Sequence, residues 1–159
     1  MITIRFETGD ERIVDCESLE GACFDSDNLH RAIFERVDLS AATFCYANLR
    51  NAIFDQAILQ NASFAGAALM NSSFVRANLQ RTNFTKSIAA YADFSFADLR
   101  NSTFEDADIG GAFFIGANLC AVNMSGKRLT DANFAGAIFD DQTIWPISFE
   151  PLAVGLIRI

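Results

Sequence analysis

The chain is poor in the residues that most chemistry needs. Its 159 residues include one histidine, two prolines and one tryptophan. A lone histidine cannot make a His-based metal cluster, and no nucleophile–base–acid set can be assembled around this one. His30 also falls one place after Leu29, an outward position, and is read as a solvated surface side chain. The four cysteines, Cys16, Cys23, Cys45 and Cys120, contain no C-x-x-C pair. No zinc site follows from that spacing, and they are expected as free thiols. There is no glycine-rich phosphate loop. No apolar run approaches the ~18–20 residues of a membrane span. The opening "MITIRFETGDER" lacks a basic start followed by an apolar stretch, so no signal peptide is expected and the cytoplasm is implied. No cofactor is expected, and no membrane contact. Positive charge is also scarce: the formal net charge is −8, which argues against direct nucleic-acid binding through phosphates.

What the chain has in plenty is phenylalanine, with 16, and those residues are spaced regularly. Counting every fifth residue from Leu19 to Phe139 gives 25 units in phase, with Phe in 12 and Leu in 10. Two places earlier the residue is small in most units, Ala in 16, and the exceptions are Glu17, Asp27 and Lys127. A helix cannot use this period, because five residues advance about 500° and successive large side chains would point ~140° apart. A straight strand cannot use it either: side chains alternate with period two, and five is odd. A bend in every unit resolves the conflict. Small and large residues, two apart, both point inward on a short extended piece, and the rest turn the corner. A chain that bends the same way every five residues coils and climbs.

Units such as Ala47-Asn48-Leu49, Ala77-Asn78-Leu79, Ala97-Asp98-Leu99 and Ala117-Asn118-Leu119, with the Phe versions Ala92-Asp93-Phe94 and Ala132-Asn133-Phe134, resemble the A-[DN]-L-x-x signature of pentapeptide-repeat proteins. The resemblance covers roughly residues 17 to 140 and includes a cyanobacterial look to the tail. It implies an all-β protein, a right-handed quadrilateral β-helix with four units per coil and about six coils. Residues 20 apart then stack. Phe24, Phe44, Phe64, Phe84 and Phe104 form one ladder, and Phe34, Phe54, Phe74, Phe94, Phe114 and Phe134 the opposite one. Leu39, Leu59, Leu79, Leu99 and Leu119 form a third wall. Ala89 leaves a hole in the fourth, and a distortion is expected at Ile88–Tyr91, with those two side chains leaning in. Lys127 occupies an inward-type place where a buried lysine would be costly, so the coil is expected to splay there, with Gly126 allowing it.

Three segments are expected. Residues 1–16 alternate Ile2, Ile4 and Phe6 with polar residues before a "TGD" turn, and read as an N-terminal hairpin cap. Residues 17–140 are the β-helix. Residues 141–159, "DQTIWPISFEPLAVGLIRI", form a C-terminal capping tail. That tail is read as an apolar lid, or as a dimer surface built around Trp145 and Phe149.

No set of residues assembles into a catalytic group, and no enzyme activity is expected. The Glu105-Asp106-Asp108 run reads as a solvated turn. One outer wall, beside the Phe34–Phe134 ladder, carries Ile33, Ile53, Val75, Phe113 and Ile115, with Phe96 at the next corner. These form the candidate interface; the alternative is a scatter of ordinary exposed apolar residues. The leading functional reading is a non-catalytic scaffold or protein-interaction module for an unidentified protein partner, as monomer or homodimer. The second is implied by the resemblance alone: some relatives mimic DNA and bind DNA gyrase or topoisomerase IV. Acidic charge fits that reading, but residues 31–90 carry six bases against three acids, which breaks the acidic stripe a mimic needs.

Overall fold

The computed structural model describes residues 1–159. Its backbone is a four-sided β-helix in which each unit of five makes one wall and one corner. The unit around Phe64 shows how. The Phe64 N–H donates to the Asn83 carbonyl one coil on (2.7 Å), and the Asn83 N–H donates to the Ala62 carbonyl (3.0 Å). The Ala67 N–H closes the corner on the Phe64 carbonyl (3.0 Å). Gly66, third in that turn, has φ +67°, and the matching residues of other units repeat it, as at Asn61 (60°) and Asn71 (56°). A 4→1 bond with positive φ at the third residue alone is the type II turn. Asn is enriched in that conformation because its short polar side chain tolerates it.

One N–H per unit, that of the residue after the large one, is left out of this ladder scheme. The Asn or Asp before the large residue often takes it. Asn83 accepts from the Thr85 N–H (2.9 Å), Asp93 from Ser95 (2.9 Å), Asn118 from Cys120 (3.1 Å) and Asn123 from Ser125 (3.0 Å). The [DN] of the repeat is thus a cap for an otherwise unpaired donor.

Parallel rungs stack 20 residues apart, as in Cys23, Thr43, Ser63, Asn83, Thr103 and Asn123. Four walls result, named here by one inward residue of each: the Phe24, Leu29, Phe34 and Leu39 walls. The two phenylalanine ladders fill the centre. Within a ladder the rings stack at 4.7–5.2 Å, matching the rung spacing of ~4.8 Å. Across the core the ladders meet edge to face, as for Phe64 and Phe74 at 5.5 Å and 86°. Both are favoured aromatic geometries. The small residues at the inward places are buried, which lets the walls approach.

Two places differ from the sequence pattern. The expected distortion at Ile88–Tyr91 is absent. Ala89 N–H bonds the Asp108 carbonyl (2.8 Å), the Ala92 N–H closes the turn (3.1 Å), and Ile88 and Tyr91 stay exposed. The ladder bonds on both sides hold the backbone too firmly for the side chains to swing in. The second place is 125–132. There Asp108 pairs with Lys127 rather than with the residue 20 on, and Leu129–Asp131 form a short 3-10 turn entered through Arg128 at φ 56°. Lys127 is exposed, and a Cβ on Gly126 would lie 2.9 Å from the Ala107 carbonyl oxygen. Glycine at 126 lets the chain pass close to the coil below.

At the N-terminus, β1 (Ile2–Phe6) and β2 (Glu11–Val14) form an antiparallel hairpin. β1 pairs on its other side with β3 (Ala32–Ile33), with Ile4 buried. Arg12 on β2 reaches Asp27 at 2.7 Å, which partners the carboxylate that occupies an inward-type place. At the other end β4 (Ile138–Phe139) pairs in parallel with β5 (Ile157–Arg158). Between them Trp145 packs edge-on against Phe134 (5.9 Å) and Phe139 (5.7 Å), and Phe149 stacks on Trp145 (5.0 Å). No helix is long and apolar enough to cross a membrane.

Candidate protein-docking wall

The Phe34 wall has an outward row of Ile33, Ile53, Ser73, Asp93, Phe113 and Asn133, joined rung to rung. The row after the inward phenylalanines holds Glu35, Asp55, Val75, Ser95, Ile115 and Ala135. The six interface candidates therefore share one wall, but they do not form an unbroken stripe. Ser73 and Asp93 separate Ile33 and Ile53 from Phe113. Asp55 accepts a hydrogen bond from the Ser73 hydroxyl and another from the Val75 N–H (3.1 Å), so the middle of the wall is polar and internally bonded. Ile33 also sits opposite Arg5 of β1, which places it under the hairpin.

The upper part of the wall is different, and the cause lies at its corners. Tyr91 and Phe96 occupy the positive-φ corner places on either side of the wall, each at φ 60°. One coil above each stands a glycine. A Cβ on Gly111 would lie 2.5 Å from the Tyr91 ring, and one on Gly116 would lie 2.7 Å from the Phe96 ring. Both rings thus lean up one coil and lie flat over bare backbone. That brings them level with Phe113 and Ile115. Four apolar side chains, Tyr91, Phe113, Ile115 and Phe96, span the wall in one belt. Tyr91 is 60%, Phe96 56% and Phe113 39% exposed. The Arg76 guanidinium lies 5.8 Å from the Phe96 ring centroid, within cation–π range, and helps to hold that ring.

Tyr91 was not among the candidates drawn from the sequence. A usable signal was present: an aromatic residue followed 20 places later by glycine occurs at Tyr46 and Gly66 as well.

Away from this wall, Thr8, Asp10, Asn28 and His30 line an open pocket together with Phe6. His30 is exposed, with Nε2 3.2 Å from Asn51 Nδ2. Asp108 is tied to the Arg128 guanidinium, with Nε at 2.7 Å. No three His, Cys, Asp or Glu side chains are grouped to hold a metal ion. Burial pushes the Cys120 thiol up, away from the thiolate that nucleophilic chemistry needs. The Cys45 Sγ lies 3.3 Å from the Ser63 hydroxyl.

Comparison with known proteins adds the following. The family model described as a pentapeptide repeat region matches residues 39–114 and 57–134. No curated protein matches the chain. Among solved structures, the chain is similar to Rfr23, a pentapeptide repeat protein from the cyanobacterium Cyanothece 51142. Identity is 25%, over 69% of this chain and 65% of that one, with a TM-score of 0.40. It is also similar to HetL from Nostoc sp. strain PCC 7120, described as involved in heterocyst differentiation regulation. The values there are 16% identity, 77% and 71% coverage, and a TM-score of 0.42. QnrB1, a plasmid-mediated fluoroquinolone resistance protein, matches at 17% identity over 92% of this chain and 86% of that one, with a TM-score of 0.41.

Proposed function

The chain belongs to the pentapeptide-repeat family, and from that premise we propose that it is a non-catalytic scaffold that binds a protein partner on the upper Phe34 wall. The proposed architecture is about six coils (17–140), closed by the hairpin (1–16) and the tail (141–159), which leaves the walls as the free surface. The observation that carries the reading is the belt of Tyr91, Phe113, Ile115 and Phe96. Exposed apolar residues scattered singly are ordinary, whereas a belt of aromatics held flat is the composition of interface centres. The rings are already fixed by their glycine seats, so little side-chain freedom is lost when a partner lands.

Mutagenesis tests this. Phe96→Ser with Phe113→Ser should leave circular dichroism and thermal unfolding close to wild type, because both side chains are exposed. The same variant should lose a partner that cross-links to the wild-type protein. Thr85→Ala on the Phe24 wall should keep it. Equal recovery of that partner with both variants refutes the docking wall.

The DNA-mimic reading has the net charge of −8 in its favour. Against it, Arg36 and Arg76 line one corner of the Phe34 wall and Arg31 the other. A gyrase supercoiling assay decides it: inhibition by the wild type that survives in the Phe96→Ser, Phe113→Ser variant would put mimicry ahead of the docking wall.

A further inference from the structure

The N-terminal hairpin does more than cover the first coil. β1 runs antiparallel to β3, with Phe6 opposite Ala32, and the Glu7 N–H then donates to the Arg31 carbonyl (3.0 Å). The turn that follows is therefore aimed at residue 30 and overhangs the start of the Leu29 wall. A cleft of about 240 Å³ lies between them. Thr8 and Asp10 line it from the hairpin, Asn28 and His30 from the wall, and the half-buried Phe6 adds an apolar surface.

The hydrogen bonds these residues already make decide what each has left. Thr8 Oγ1 donates to Asp10 Oδ2 (2.8 Å), so the Thr8 oxygen and Asp10 Oδ1 keep free lone pairs. Asn28 Oδ1 accepts from the Asn48 amide (2.8 Å), which leaves the Asn28 NH2 group. Asn28 thus turns away from the capping role that Asn83 plays for Thr85, and the His30 backbone N–H stays open. The Asn51 amide nitrogen lies 3.2 Å from His30 Nε2. An amide NH2 only donates, so Nε2 accepts and the ring hydrogen sits on Nδ1. The two hairpin arginines are engaged elsewhere, Arg5 with Glu11 and Arg12 with Asp27. The cleft therefore offers donors and acceptors together, around one carboxylate.

That mixture excludes ligand classes in turn. A phosphate or carboxylate would meet the like charge of Asp10. A bare metal ion would find no three ligating side chains converging. An ammonium accepts nothing, and would face the donors of Asn28 and His30. A hydroxyl both donates and accepts, so neighbouring hydroxyls satisfy both kinds of group at once. The volume lies below the roughly 300–1,000 Å³ of pockets for larger ligands, which limits the occupant to one ring. We propose that the cleft under the hairpin binds one neutral pyranose ring, its vicinal hydroxyls donating to Asp10 and accepting from Asn28 and His30, with its apolar face on Phe6. A free hexose and the terminal sugar of a glycan share that chemistry. The cleft is separate from the docking wall and does not rest on that reading.

Amide chemical shifts of the isotope-labelled chain, titrated with the methyl glycosides of glucose, galactose and mannose to tens of millimolar, test the proposal. A small neutral ligand in an open cleft should saturate at millimolar concentration. At least one glycoside should move the Thr8, Gly9, Asp10 and His30 amides and leave those of Tyr91, Phe96 and Phe113 in place. Asp10→Ala should weaken that binding at least about tenfold, with dichroism and melting unchanged because Asp10 is exposed. Thr85→Ala, on the Phe24 wall, should bind as wild type does. The matching disaccharides separate the two sources: equal binding supports a glycan end, and loss of binding supports a free sugar. No shift with any of the three glycosides overturns the proposal, as does a saturable shift that Asp10→Ala leaves intact. So does methylammonium or calcium producing the same shifts at lower concentration, which would make the cleft a cation site.

Discussion

Gly111→Ala is the sharpest probe of how the belt is held. Two effects would act together. The first is backbone conformation: Gly111 has φ +70°, which costs an alanine about 1 kcal/mol. That strain is tolerable, since Ala41 and Ala121 sit at φ 57° in the matching place of other units. The second is collision. The new Cβ would lie 2.5 Å from the Tyr91 ring, which must swing away and give up its seat. Because Tyr91 is exposed it has room to move, so this adds about 1 kcal/mol rather than the larger penalties of a packed core. Gly111→Ala alone should therefore cost about 2 kcal/mol, and in a Tyr91→Ala background about 1 kcal/mol. A double-mutant cycle by denaturant unfolding reads the difference directly, as a coupling of about 1 kcal/mol. Equal costs in both backgrounds would refute the account, since the ring would then not rest on the glycine. The same substitution should also weaken the proposed partner, although it touches no belt side chain directly except Tyr91.

Other outcomes follow from the core and the rungs. Phe74 stacks face-on with Phe54 (4.8 Å) and Phe94 (5.0 Å) and edge-on with Phe64 and Phe84, so Phe74→Ala should cost about 4 kcal/mol in denaturant unfolding. Phe24 has ring partners only in Phe34 and Phe44, and Phe24→Ala should cost about 1 kcal/mol less. Asn83→Ala strands the Thr85 N–H and should cost about 1 kcal/mol, whereas Asn83→Asp, which keeps an acceptor oxygen, should stay near wild type by the same melt. Three carboxyls on the Leu39 wall are held below their ordinary range. The Ser40 N–H does this for Asp38 and the Ala121 N–H for Asp140; at Asp98, burial pulls upward but the Arg100 contacts outweigh it. A lowered carboxyl stabilises the fold above its unfolded pKa and loses that contribution as pH falls through the folded one. Stability should therefore drop below about pH 4, and Asp140→Asn should flatten that drop in melts run from neutral to acid pH.

Much of this architecture is written locally. The five-residue period, the small–x–large pairing and the Asn or Asp that caps a turn donor all act within seven residues of chain. Local rules of that kind are legible without a fold. The 20-residue stacking follows once four walls are assumed. The expected distortion at Ala89 failed because a missing side chain is a weaker perturbation than the ladder bonds that flank it. The tail's inward aromatics, Trp145 and Phe149, stand out by type, but nothing in their spacing tells which face of the tail stays bare.

The candidate site was half visible. Ile33, Ile53, Val75, Phe96, Phe113 and Ile115 could be placed on one wall by counting alone. Counting does not tell that Ser73, Asp55 and Asp93 divide that wall, or that Tyr91 joins it from the other corner. The sequence by itself determined the coil, because its turns and inward stripes are contacts between near neighbours. Only the tertiary structure decided the belt. It depends on which way a side chain leans once coils are stacked, and that is settled by what the next coil leaves open: a bare glycine above Tyr91 and Phe96.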